Sequence, residues 1–306
     1  MNRLVLCTVF TLLSAQSGAH ETMSVRELML SFGTDLDTAE VRRETISPGL
    51  HVLYAAGGNV AVSIGEQGVL MVDSQFPEMI PKLKAAIADL GGGDVDFTIN
   101  THSHFDHVNG NPLLGREGSW MISQLNTRNL MLSARTVDLL GRLHTQGPYP
   151  TEALPVVTFE DRMQVFFNGQ RIDIMHFGPG HTSGDAVVIF RGDNAVHMGD
   201  LLTGGFPFID TNFGGQLDGL IKFCKAVLAN IDENTTVIPG HGPLKSYQDL
   251  ADHVVMMETV GERIRTMIDR GYSLEDVLEA NPAGDFAASR GDPTLFIHGA
   301  YRTLTE

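Results

Sequence analysis

The chain has 306 residues, 42% of them hydrophobic, enough for one large domain or two small ones. Its 21 basic residues face 37 acidic ones, a formal net charge of −16 that argues against nucleic acid or an anionic membrane as a partner. Of two cysteines only Cys224 lies beyond an N-terminal segment that reads as removable, so no intramolecular disulfide is expected.

That segment is residues 1–19. Met1-Asn-Arg3 is a short positive start, Leu4 to Leu13 is mostly apolar, and Ser17-Gly-Ala19 places small residues where a signal peptidase cuts. The apolar run is too short to span a bilayer as a mature helix. A buried N-terminal helix is the alternative. The expectation is cleavage near Ala19 and an exported, soluble, periplasmic or secreted protein without a membrane anchor. Loss of Arg3 leaves 20 basic residues against 37 acidic, or −17.

The mature chain, 20–306, shows no repeat, low-complexity tract or linker and reads as one domain, with a core at about 45–245 and helices over 246–306. After a polar leader, 51–54 and 60–64 are expected strands flanking the glycine-rich turn Ala55-Ala-Gly-Gly58-Asn59. Val69-Leu-Met-Val72 is continuously apolar, as a strand buried on both faces should be. It runs into Asp73, an acid placed to hydrogen-bond a metal-bound histidine or else to serve as a turn or cap residue. A helix follows over 77–90, stopped by Gly91-Gly-Gly93.

The strand 97–100 delivers His102-Ser-His104-Phe-Asp106-His107, four potential metal ligands within six residues. Imidazole and carboxylate suit zinc and its first-row neighbours. His102 and His104, two apart on extended chain, share a face, while Asp106 and His107 at the next helix start can turn toward a second ion. A polar surface turn with coincidental histidines is the plain alternative. Then come a short helix at 108–114, a strand at 120–123 whose Trp120 is a stacking or packing residue, a helix over 124–143, and a surface connection, 147–155, that could border a substrate groove.

In the second half Asn168-Gly169 joins strands at 165–167 and 172–175 as a hairpin. The chain continues into His176-Phe-Gly-Pro-Gly-His181-Thr-Ser-Gly-Asp185, then strands at 186–190 and 195–197, the latter ending in Met198-Gly199-Asp200. Leu217 to Ile231 is an amphipathic helix that makes Cys224 a core residue. A strand at 236–238 ends in Pro239-Gly-His241-Gly242, and helices are expected at about 246–270, 273–280 and 292–304. Asp106, His107, His181, Asp200 and His241 thus all occupy strand-end turns, where sheet scaffolds present functional side chains. His176 and His197 stand at strand ends beside them and either orient ligands or pack. His20, His51, His144, His253 and His298 read as surface or ordinary core residues.

Taken in order, the His-x-His-x-Asp-His cluster at 102–107, the Gly-His-Thr turn at His181, the Gly-Asp at Asp200 and the Gly-His-Gly at His241 resemble the metallo-β-lactamase superfamily over about residues 45–245. The resemblance implies an α/β (α+β) fold, a four-layer αβ/βα sandwich with extra C-terminal helices here. It implies two Zn²⁺ ions at one sheet edge, iron or manganese being the other cations such donors accept. His102, His104 and His181 would hold the first, and Asp106, His107 and His241 the second, with Asp200 bridging. Flavo-di-iron relatives carry glutamate where this chain has His104, which favours zinc and hydrolysis over redox chemistry.

The implied mechanism is attack by a hydroxide shared between ions roughly 3.5–4 Å apart, with Asp106 orienting it and ferrying a proton, or acting as a ligand alone. Superfamily β-lactamases often have cysteine where Asp200 stands and lysine where Thr203 stands; relatives with aspartate include glyoxalase II, lactonases and phosphodiesterases. Asn212, in Thr211-Asn-Phe-Gly-Gly215, is placed either to donate to a developing oxyanion or simply to make a turn. An exported enzyme meets antibiotics rather than cytosolic thioesters, so β-lactam amide hydrolysis leads, with a lactone or other ester close behind. The reading from another class is a non-catalytic metal-binding accessory protein, against which the intact seven-residue set speaks. A small-molecule substrate is the expected partner.

Overall fold

The computed structural model describes residues 22–305; the segment 1–19 expected to be a signal, with Cys7, and His20 lie outside the described residues. The elements are α1 (Val25–Ser31), β1 (Arg42–Ser47), β2 (Leu50–Tyr54), β3 (Val60–Gly65), β4 (Gly68–Val72), α2 (Ile80–Asp89), β5 (Val95–Asn100), α3 (Phe105–Val108), α4 (Asn111–Arg116), β6 (Trp120–Gln124), α5 (Leu125–Met131), β7 (Arg135–Leu139), β8 (Arg142–Gln146), β9 (Val157–Phe159), β10 (Arg162–Phe167), β11 (Gln170–Met175), β12 (Val187–Phe190), β13 (Ala195–His197), α6 (Leu217–Leu228), β14 (Thr236–Ile238), α7 (Tyr247–Asp269), α8 (Leu274–Ala280), α9 (Ala287–Arg290) and α10 (Thr294–Thr305).

Seven strands form one sheet in the order β1-β2-β3-β4-β5-β6-β9, and five form a second, β10-β11-β12-β13-β14. The inner faces meet through Val52, Leu70, Val72, Ile99 and Ile122 from the first sheet and Ile172, Ile174, Val188, Phe190 and Ile238 from the second. The outer face of the first sheet is covered by α1 and α2, through Leu28, Met29, Leu83 and Ile87. Leu220, Phe223, Cys224, Met257, Val260 and Phe296 from α6, α7 and α10 cover the second. This is the expected four-layer sandwich, and β4 lies in the middle of its sheet with Val69 to Val72 buried. Cys224 is free and buried, as a core residue should be.

Three stretches differ from the sequence reading. The leader is not plain: Ser24 and Glu27 close a reciprocal cap on α1, which buries Leu28 and Met29. Of the helix expected over 124–143, only α5 is helical. The rest is the hairpin β7–β8, turning at Leu140 and Gly141, both at positive φ (57° and 88°). Val137, Leu139, Leu140 and Leu143 fit a helical spacing as well as a strand's, and the Leu140-Gly141 turn decides for the hairpin. The connection 147–155 braces the ligand loop from beneath rather than walling a cleft, Tyr149 donating to Asn109 Oδ1 at 2.7 Å. Asn168 and Gly169, at φ 51° and 76°, make the expected tight turn.

Candidate metal centre

Every candidate ligand sits where a strand ends, at one edge of the sandwich. β5 leads into His102 and His104, and α3 begins immediately after, carrying Asp106 and His107. His181 lies between β11 and β12, Asp200 just past β13 and His241 just past β14. The fold brings all seven together. One ligand atom each from His102, His104 and His181 lies within 4.8 Å of the others, and the same holds for Asp106, His107 and His241. His102, His107 and Asp200 form a third such group, which places the Asp200 carboxylate between the other two. His104 Nδ1 is 2.8 Å from His181 Nε2, His107 Nε2 3.3 Å from His241 Nε2, and Asp106 Oδ2 3.1 Å from His241 Nε2.

The far nitrogen of most of these rings has a partner, which fixes the face each turns to the centre. Asp210 Oδ2 lies 2.9 Å from His104 Nε2, and the Phe208 carbonyl 2.7 Å from His181 Nδ1. Asp73 Oδ2 is 2.8 Å from His107 Nδ1 and also accepts from Thr101 Oγ1 at 2.7 Å, while Asp73 Oδ1 accepts from Thr101 N at 2.8 Å. Thr101 Oγ1 is in turn 3.0 Å from His102 Nδ1. His197 receives the Gly199 N–H on Nδ1 at 3.1 Å and reaches the Asn59 carbonyl at 2.9 Å, pinning the turn that carries Asp200. His176 meets the Asp185 carbonyl at 2.7 Å, and the Asp185 carboxylate accepts from Thr182 N and Oγ1. Gln146 holds the ligand loop from the hairpin, accepting from Phe105 N and donating to the Ser103 carbonyl. Gly58 packs so closely on His107 that an added Cβ would fall on the ring.

The electrostatics divide the centre in two. Burial pushes His102 well below the usual imidazole range and His181 down to about 4, so both present neutral rings with a free lone pair. Burial opposes the ionised forms on the other side too, but there the acids win. Asp200, Asp106 and Asp73 raise His107, and Asp200 and Asp106 raise His241. Against its own burial, Asp106 is held down to about 2 by His107 and His241. On this side carboxylates and imidazoles lie close enough to stabilise one another's charged forms, and a cation would take the place of the imidazole protons. Among the described residues the buried His102 Nε2 has no hydrogen-bond partner, and Asp200 Oδ1 has only His107 Nε2 beside it, at 3.2 Å. Neutral imidazoles, clustered carboxylates and an orphaned buried ring nitrogen are the donor set that binds a first-row cation, and such residues fit the metal site the fold implies.

Asn212 does not turn to this centre: its amide donates to the Thr136 carbonyl at 3.2 Å and ties the 211–213 turn to β7. Trp120 is 58% exposed at the start of β6, the opposite end of the strand from the cluster. His51 and His253 are buried and His298 is half-buried; His144 is buried with its ring edge-on to Phe105, 4.8 Å between centroids. Asp210, Asp185 and Gln146 were missed by the sequence reading. For Asp185 the signal was present, an acid closing the His181 turn; for Asp210 and Gln146, acting from far along the chain, there was none.

Two packed sheets with helices outside, holding histidines and aspartates at one edge, define a metallo-hydrolase sandwich. Residues 53–241 match the sequence profile of the metallo-beta-lactamase superfamily, and the chain belongs to it. It is 26% identical over 208 residues to a probable metallo-hydrolase of Streptococcus pyogenes serotype M6, covering 62% of this chain and 81% of that protein. Among solved structures, the DIM-1 metallo-beta-lactamase aligns with a TM-score of 0.58 at 18% identity, over 72% of this chain and 98% of that one. The stereoselective inverting sec-alkylsulfatase Pisa1 from Pseudomonas sp. aligns with a TM-score of 0.68 at 14% identity, over 86% of this chain but 50% of that one. The superfamily is metal-dependent, and the described helices include none long and apolar enough to cross a membrane.

Proposed function

We propose that the protein is an exported hydrolase that uses two zinc ions to cleave an ester- or amide-type carbonyl in a small molecule. His102, His104 and His181 would hold one ion, Asp106, His107 and His241 the other, with Asp200 between them. Cations held there supply electrophilic pull on the substrate oxygen and make water a stronger acid. Asp106, its carboxylate ionised and its side chain 16% exposed to the cleft, accepts the hydrogen bond that orients the attacking water and takes its proton at Oδ. His181 and His102 stay neutral and cannot compete for that proton. The observation that carries the reading is that Asp106 is at once in the donor cluster and in the floor of the cleft above it.

The β-lactam ring remains a candidate because an exported enzyme would meet such drugs, but they bring a carboxylate that needs a cation. Thr203 faces the cleft where a lysine would serve. A neutral ester or lactone therefore fits better. The test is turnover by zinc-loaded protein on a chromogenic cephalosporin, a lactone, a thioester, a phosphodiester and an alkyl sulfate. The expected outcome is hydrolysis of the lactone ahead of the cephalosporin, falling about 10²–10⁴-fold in Asp106→Asn. Full activity in that variant, or turnover confined to the phosphodiester or the sulfate, would refute it.

A further inference from the structure

The cleft over the metal centre has a volume of about 350 Å³. Its floor is His104, Asp106, Asp200 and His241, and its walls are apolar side chains. Met29 and Phe32 come from α1 and the residue capping it, Val137 and Leu139 from β7, and Phe206 and Phe208 from the loop after Asp200. Neither lysine nor arginine lines it. Two arginines stand on the neighbouring hairpin, outside the lining. Arg142 stacks over the Phe32 ring, 5.1 Å from its centroid, and Arg135 donates to the Asn212 carbonyl at 3.4 Å. Thr203 Oγ1 donates to the Phe206 carbonyl at 3.3 Å.

The N-terminal wall is fastened in place. Met23 N donates to the Leu143 carbonyl at 2.7 Å and His144 Nδ1 meets the Met23 carbonyl at 2.9 Å, tying the start of α1 to β8. Arg26 pairs with Asp37 and Glu78. Yet Phe32 remains 48% exposed. A preformed apolar wall opening onto a charged reaction centre favours a ligand that is polar at one end only.

We propose that this cleft takes an apolar hydrocarbon substituent, alkyl or aryl and without a second charge, of the molecule being hydrolysed, and that Phe32 and Leu139 set the preference for its length. The proposal rests on the carbonyl-hydrolase reading for its substrate, but the cleft's own selectivity can be read by binding alone. Each methylene taken out of water is worth about fourfold in affinity until the cleft is full.

Two series on the zinc-loaded protein test it: p-nitrophenyl esters from acetate to octanoate for kcat/KM, and n-alkyl hydroxamates of matching length for affinity by calorimetry. Both should climb about three- to fourfold per methylene over the first steps. A carboxylate at the far end of the chain should reverse the gain. Phe32→Ser and Leu139→Ser should each flatten both slopes, while Phe166→Ser, an exposed apolar side chain on β10, should keep them. Hydroxamate affinity that climbs without hydrolysis of any ester would support the cleft assignment and overturn only the carbonyl reading. Flat hydroxamate affinity, slopes unmoved in both wall variants, or a preference for the carboxylate-ended chain would overturn the cleft assignment.

Discussion

Asp210 is the sharpest test of how the centre is held. Its carboxylate lies 2.9 Å from His104 Nε2, and both side chains are almost fully buried. This contact leaves Nδ1, the atom near His181, free to bind an ion. In Asp210→Ala the ring N–H would lose a charged acceptor in a place water does not reach, which costs about 1.5–3 kcal/mol. Metal affinity should then fall about 10- to 100-fold. Asp210 Oδ1 also accepts from Asn212 N at 3.0 Å, so the alanine variant loosens the 211–213 turn as well. Asp210→Asn separates the two effects. It keeps an acceptor of the same shape and loses the charge, so it should weaken metal binding by about 1 kcal/mol, or roughly fivefold. Competition with a chromophoric chelator measures both variants. Unchanged zinc affinity in Asp210→Ala would refute the claim that this contact organises His104.

Two further outcomes follow from the structure. Gly58→Ala should displace the His107 ring and halve the zinc content measured by atomic emission, whereas a variant retaining full zinc would show that the ring can yield. His253 is fully buried, and burial followed by the charge of Arg290 pushes its pKa down to about 3 from 6.5. Because the unfolded chain takes up this proton first, the contribution of His253 to stability is complete above pH 6.5 and drains away as the pH falls toward 3. By pH 5 the loss is about 2 kcal/mol. Urea unfolding at pH 7 and pH 5 should therefore show a smaller acid loss in His253→Leu than in the parent; equal losses would exclude this residue as the source.

The centre was legible in the sequence because its chemistry is local. Four of its seven residues fall within one hexapeptide, and the others follow strands and stand beside glycines that a strand-end turn needs, such as Gly199 at φ 53°. The sheets were legible for a similar reason: Val69 to Val72 and Ala186 to Phe190 are runs that only a buried strand accommodates. What could not be read were long-range pairings. The hydrogen bond from His104 to Asp210 spans 106 residues, and nothing near either one announces the other. The β7–β8 hairpin failed differently, because its apolar spacing serves two structures and two positive-φ residues choose between them. α1 carried a signal that went unused, the Ser24-x-x-Glu27 capping box. That omission matters, because α1 and β7 build the walls of the cleft and so bear most directly on which substrate fits.

The central claim is that seven side chains from distant parts of the chain hold cations without which no chemistry occurs. Chelator-stripped protein titrated with zinc, with activity followed on the best substrate of the panel, tests it most directly. The account predicts no turnover at zero metal and activity that saturates at two zinc ions per chain. Undiminished turnover by the stripped protein would contradict it.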